Sequence, residues 1–444
     1  MSPQHRWLEF AFALAVLVAI SFAHAVVAQD MLPSPAPGAP PGAEPVPLTP
    51  VPRIDLAPAP AEPTPAEPTL TEPTPLASPT RIEPPAASPI ASPMKIEGPN
   101  GSIKFGLLVQ PQYEALGSPT FDGVTHNLYV RRVRVLIGGT LFKDFEYFFD
   151  VDYPNLFKSQ AGTDAMMNPT LLKNSPGLNI QDVMVTYKAI ADMLKFDAGY
   201  MLPPLGHNAV QSAATLYAWD YFANTFRHGD SFGNTAPSPV GRDLGAEARG
   251  LLVDGHVEYR LGLFQGLRNA PAAPKVGGRN FFRVAGRVQI NLLDAEPGFF
   301  YAGSYLGTKR IVSFGAAYDF QDDYKYWDID GIVDLPVGPG ALTAQVDFAH
   351  WNGGTHIPAL PQQSAIMGEA GFRIMEFSPI VRFERRWVTN ATAAVPNETR
   401  YAIGLAFWPY GHNSNLKAFY TRVHPDPSAH DYDQFNLQWQ VFFY

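Results

Sequence analysis

The sequence has no cysteine, and beyond one apolar run near its start it has no uninterrupted hydrophobic stretch. Without cysteine, disulfide frameworks, thiolate metal sites and cysteine nucleophiles are excluded, and a cell-envelope location is compatible with that absence. Without apolar stretches of about 20 residues there are no membrane-spanning helices, so a mature chain that crosses a bilayer must do so as closed strands whose backbone groups pair internally. A basic excess is missing too. The chain carries 32 Lys+Arg and 41 Asp+Glu, for a net charge of -9, and 4 and 9 of these fall in the first 100 residues, leaving a nearly balanced 28 and 32 beyond. Nucleic acid is therefore not an expected partner. What is present is 46% hydrophobic residues at a mean hydropathy of only -0.08, with 19 Tyr, 30 Phe and 7 Trp, a mixture that suits short alternating strands with aromatic ends.

Three stretches of different composition follow one another. Residues 1–28 hold His5 and Arg6, an apolar run from Phe10 to Phe22, and small residues ending at Ala25 or Ala28. This is the pattern of a cleaved secretory signal peptide. Residues 29–98 are dominated by Pro, Ala, Thr, Ser and Glu, with near-repeats at Ala61-Glu62-Pro63-Thr64, Ala66-Glu67-Pro68-Thr69 and Thr71-Glu72-Pro73-Thr74. Such a segment has too little to bury and is expected to be a disordered, extended periplasmic tether.

From residue 99 to Tyr444 the signal is a period of two. In the last segment Phe435, Leu437, Trp439, Val441 and Phe443 fall on one face, and Gln434, Asn436, Gln438 and Gln440 on the other. Segments of this kind recur about sixteen times, each near the ten residues a tilted strand needs to cross a bilayer. Breaks alternate between short ones, such as Phe142-Lys143-Asp144, Asp254-Gly255 and Gly338-Pro339-Gly340, and longer ones. The expected fold is all-β, a transmembrane antiparallel barrel of about 16 strands preceded by the disordered Pro-rich segment. One stretch is irregular: Phe299 to Leu306 looks like a strand inside a break that should be short, and it is read as a strand extension or an ornate turn.

Several patches resemble the phosphate-selective porin O and P family. Arg132-Val133-Arg134 followed by Gly138 and Phe145-Glu146-Tyr147 is similar to that family's second and third strands. Gly199 with Pro203-Pro204-Leu205-Gly206 resembles a strand-end motif, and Arg242-Asp243-Leu244-Gly245 a later strand start. The resemblance implies a homotrimer of outer-membrane barrels passing small hydrophilic solutes or ions, with anions such as phosphate favoured by arginines and lysines at a constriction. The sequence departs from the family at Leu202, where the motif usually carries lysine.

In such a barrel the functional residues are charges that face the lumen. Parity turns Arg132, Arg134, Arg249, Arg283, Arg287 and Arg382 inward, together with a row of Asp328, Asp330 and Asp334 that is expected to form an opposing acidic wall. If Phe142 to Asp144 makes a three-residue turn, Arg134 falls opposite Asp152 as a cross-strand ion pair. Arg283 and Arg287, with no acidic neighbour on their own strand, are better placed to act as free selectivity charges. The longest external connection, Pro203 to Arg242, carries Tyr217, Trp219 and Arg227, and is expected to fold inward and narrow the pore. The eleven histidines show no metal-ligand spacing, and neither a phosphate-cradling loop nor a nucleophile elbow occurs, so no cofactor, metal or catalytic residue is expected and the chain is expected not to be an enzyme. Two other classes stay open: a structural barrel tethered to the cell wall, and a lipid-modifying enzyme using Ser and His on its outer wall. For the latter, His350 beside Trp351 and Asn352 reads more simply as an interfacial residue.

Overall fold

The structure is a computed structural model that describes residues 94–118, 123–163, 169–173, 177–223, 241–268, 281–392, 395–427 and 430–444. The expected signal peptide, most of the tether and Arg227 lie outside the described residues.

Short N-terminal strand β1 (Met94–Gly98) turns directly into the first wall strand, β2 (Gly101–Gly117). The wall continues through β3 (Val124–Leu141) and β4 (Phe145–Asp152), and an excursion then forms the separate hairpin β5 (Ser159–Thr163) and β6 (Pro169–Lys173). Next come β7 (Asn179–Ile190), β8 (Leu194–Met201), β9 (Asp243–Leu252), β10 (Val257–Phe264) and β11 (Arg283–Asn291). The remainder is β12 (Ile311–Gln321), β13 (Tyr324–Val337), β14 (Gly340–Asn352), β15 (Gln363–Ile374), β16 (Phe377–Val388), β17 (Asn397–Phe407), β18 (Ser414–Asp426) and β19 (Tyr432–Phe443). Every wall strand pairs antiparallel with the next, and β19 pairs with β2, so sixteen strands close into a barrel. β1 extends this seam, pairing with the part of β2 that β19 leaves free.

Closure follows from the alternation. With a period of two, one face of each strand is polar and the other apolar. Here the apolar face is the exposed one: Ile403 is 62% exposed and Leu405 47%, while Arg400, Ala402 and Ala406 on the same strand point inward. A ribbon that presents apolar side chains outward and keeps all backbone pairing internal is the strand solution to a lipid environment. Aromatic pairs mark both edges of the apolar band, Phe145 with Tyr187 and Phe377 with Phe407 near the short turns, Tyr113 with Phe435 and Trp327 with Phe348 toward the long loops. By the usual asymmetry of such barrels the short turns are periplasmic and the long loops external.

Register is as tight turns dictate. Leu141 pairs with Phe145 around Phe142, whose φ is 54°, and this sets Arg134 opposite Asp152 as the sequence implied. Pro111 lacks the N–H that the ladder requires, and the register slips beside it: Val109 faces Val133, yet Pro111 faces Val130. Two residues of β3 thus oppose one of β2, and this bulge turns Arg131 as well as Arg132 away from lipid.

Among the described residues two connections enter the barrel. The external segment 202–223, which includes a single 3-10 turn at His207–Val210, descends into the lumen and is buried along most of its length. Of the two readings of Phe299 to Leu306, the strand extension is corrected: the segment is an irregular turn, and residues 292–310 fold inward from the periplasmic end and bury Phe299, Tyr301, Ser304 and Leu306. The two inserts meet at a parallel bridge between Gln211 and Tyr301, where Ser212 N–H donates to Tyr301 and Tyr301 N–H to Val210.

Candidate functional site: an arginine-lined vestibule above the inserts

The external half of the lumen holds a cavity of about 390 Å³ whose floor is the segment Trp219 to Ala223. Six arginines line it, Arg131, Arg132, Arg134, Arg242, Arg382 and Arg400, against three carboxylates, Asp152, Asp220 and Glu384. The wall strands supply most of the guanidiniums by parity, and the bulge opposite Pro111 adds Arg131. Asp220 joins wall to loop: its carboxylate accepts from Arg131 at 2.8 Å and Arg132 at 2.6 Å. Burial alone would raise the Asp220 carboxyl, but the two guanidiniums outweigh it and hold it below the ordinary range.

The loop is pinned to the wall by cations that hold its carbonyl oxygens. Arg382 donates to the carbonyls of Asp220 (2.9 Å) and Tyr221 (3.2 Å), and Lys417 to those of Leu216 (2.6 Å) and Ala218 (3.0 Å). Gln110 and Gln440 reach Ala213 and Ala214 in the same way. The expected inward fold of the third external loop is therefore present. Tyr217 stacks on Trp408 with ring centroids 6.2 Å apart, and Trp219 packs on Phe419 and under Arg382, so the two aromatics fasten the loop to the wall. Arg242 lines the vestibule and pairs with Asp182 at 3.1 Å.

The other arginines are less free than their faces suggested. Arg134 bridges Asp150 (3.2 Å) and Asp152 (3.1 Å), Arg249 holds Asp197 (2.6 Å), and Arg382 holds Glu369 (2.6 Å) and Glu384 (3.3 Å). Arg283 and Arg287, better placed than Arg132 and Arg134 by their own strand's neighbours, find partners on other strands. Arg283 is fully buried between Asp319 (2.7 Å) and Asp243 (3.3 Å), and Arg287 is paired with Asp330. The envisaged acidic wall is likewise not a free surface. Asp330 belongs to Arg287 and to the His207 N–H, and Asp328 lies against Gly206, where a Cβ would stand 2.6 Å from its carboxylate. Asp334 anchors the periplasmic insert by accepting from the Ser304 hydroxyl (2.8 Å) and the N–H groups of Tyr305 (3.0 Å) and Gly307 (3.1 Å).

Sequence reasoning missed Arg131 and Asp220, as well as the contact between the inserts, where His207 Nε2 lies 3.0 Å from Glu296 and its ring stacks on Tyr301. The bulge at Pro111 was the one available signal, and it concerns only Arg131. On the outer wall His350 stands where parity put it, with Nδ1 2.8 Å from the Ser364 hydroxyl oxygen and its ring against Trp327. Among the described residues no group of three or more His, Asp or Glu is arranged to hold a metal ion.

A closed sixteen-strand barrel with charged residues inside, apolar residues outside and a loop folded into its lumen has the architecture of an outer-membrane porin. One similar solved structure supports the fold, and others are less similar. An anion-selective porin from Comamonas acidovorans is 11% identical at a TM-score of 0.50, over 77% of this chain and 100% of that one. OmpF of Salmonella typhi in complex with daunomycin is 11% identical at 0.48, over 79% and 100%. The trimer form of OmpT, an outer membrane protein of Vibrio cholerae, is 10% identical at 0.44, over 78% and 100%. No protein-family model matches the chain, and no curated protein does. The expectation that the chain is not an enzyme is withdrawn: likeness of fold at 11% identity carries no conclusion about catalysis.

Proposed function

We propose that the chain is an outer-membrane channel for passive diffusion of small hydrophilic solutes, with anions favoured on the external side. One observation carries the preference: six guanidiniums and three carboxylates share the wall of a single vestibule, directly over the loop that narrows the lumen. A cavity walled by low-dielectric protein and lined by an excess of one sign of charge concentrates ions of the opposite sign. Phosphate selectivity in particular is supported by the resemblance at Arg132-Val133-Arg134 but weakened at Leu202, which is buried and apolar where the family's motif has lysine. The same reading takes residues 1–28 as a cleaved leader, 29–98 as a periplasmic tether, and the assembly as a homotrimer in the bacterial outer membrane.

The test is single-channel recording of the purified full chain in planar bilayers under a salt gradient. Discrete conductance steps with a reversal potential on the anion side are expected; a silent bilayer or a cation-side potential overturns the reading.

A further inference from the structure

The lumen of a water-filled channel is expected to be polar along its whole height, yet five neighbouring strands break that rule at one level. Descending β3 from the vestibule, the inward residues run Arg132, Arg134, then Leu136; descending β4's wall position they run Asp152, Asp150, then Phe148. β7 passes from Gln181 and Asp182 to Met184, β2 from Gln112 and Gln110 to Leu108, and β19 from Gln438 and Gln440 to Phe442. Successive inward residues are about 7 Å apart along a strand, so the change from polar to apolar takes place within one step beneath the arginines.

The inserts pack against this apolar patch. Ala213 and Ala214 of the external segment pack on Leu108 and Leu136, and Tyr221, which lines the vestibule, packs on the same cluster. From the periplasmic insert Phe300 meets Phe148 edge-on at 5.7 Å, and Tyr444 meets Phe148 at 5.8 Å. Below this level the wall is polar again, with Glu146 and Lys188 paired at 3.1 Å and half exposed, and Lys104 lying 4.0 Å over the Tyr444 ring. A charged vestibule, an apolar collar and a polar periplasmic mouth therefore lie in series along one side of the lumen.

We propose that this collar is the selectivity element of the channel, and that the solute class it passes is a small organic anion with an apolar portion, such as an aromatic or short alkyl carboxylate. The inference rests on the channel reading above and refines its substrate. A fully hydrated inorganic anion gains from the guanidiniums but must shed water to cross the collar, because hydrophobic constrictions resist wetting. An amphipathic anion keeps its carboxylate on the arginines while its apolar end replaces water against the partly exposed rings of Phe148, Phe300 and Phe442. Neither half of the site is explained as well by the other kind of solute.

The experiment measures block and permeation in planar bilayers, with benzoate and inorganic phosphate as probes on the external side of the full-length protein. Benzoate is expected to halve the chloride current at a concentration about tenfold below that of phosphate, the discrimination that one or two buried methylenes supply. Phe300→Ala lies outside the barrel wall and leaves its pairing intact; it should raise chloride conductance and shrink the benzoate advantage, and Phe442→Asn should do the same from the wall. A channel that conducts but is blocked equally well or better by phosphate overturns the inference and leaves the channel reading standing. So does a benzoate advantage unchanged in both variants. A silent bilayer ends the channel reading itself, and this inference with it.

Discussion

Asp220→Asn is the most informative single change at the vestibule, because it removes one charge with almost no change of shape. The wild-type cavity presents six guanidiniums and three carboxylates, and the variant presents six and two. The loop itself should stay in place, since Arg382 and Lys417 grip its backbone oxygens rather than its side chains. A unit charge acting on an ion about 6 Å away is worth roughly 0.7 kcal/mol at the dielectric constant of water and about 3 kcal/mol at an effective value of 20. The smaller figure already corresponds to a change of about threefold in the ratio of anion to cation permeability. The loss of charge-assisted hydrogen bonds to Arg131 and Arg132 should also lower stability by about 1–3 kcal/mol. The assay is the reversal potential in a salt gradient, moved toward the anion side in Asp220→Asn and away from it in Arg132→Gln. If both variants fold, as judged by heat-modifiable migration, and neither moves the potential, the vestibule does not set ion preference.

Asp334→Ala removes the acceptor for three donors of the periplasmic insert and should cost about 3 kcal/mol or more, read as a lower denaturation midpoint together with noisier, larger currents as residues 292–310 loosen. His412, in the turn between β17 and β18, is half-buried beside Lys417, and desolvation together with that charge pushes its imidazole down to about 4. Its proton is thus held more weakly in the folded than in the unfolded chain, so stability is full above pH 6.5 and falls by about 3 kcal/mol as pH drops toward 4; His412→Gln should flatten a denaturation series over that window. On the lipid side, Ile403→Arg should destabilise the barrel by about 2–4 kcal/mol in bilayer-based unfolding if it lies near the midplane, and an effect near zero would mean that this face does not meet lipid.

The wall was legible in the sequence because its cause is local: alternation survives in every strand, and tight turns such as Phe142-Lys143-Asp144 fix who faces whom. That is why Arg134 opposite Asp152 could be read and Arg287 against Asp330 could not. The strand β11, which carries Arg283 and Arg287, is flanked by the connections 265–282 and 292–310, and long connections leave register undetermined. Parity told which way these arginines point but not that Asp319 and Asp330 wait for them. It also failed at Arg131, where a proline on the neighbouring strand shifts the count by one. The inward course of 292–310 had no sequence signature either. Its aromatic residues suit a strand as well as a plug, and only the anchoring by Asp334, Arg249 and Arg260 decides between them.

The seam between β19 and β2 has a consequence for assembly. Gln110 and Gln440, bonded to each other across it, lie 330 positions apart, so the cylinder cannot be completed until its final ribbon has been delivered. Until then both margins present unpaired peptide groups, which hydrocarbon does not tolerate. Insertion and closure must accordingly be concerted late events, and damage to those last dozen residues strands an otherwise finished wall outside the membrane.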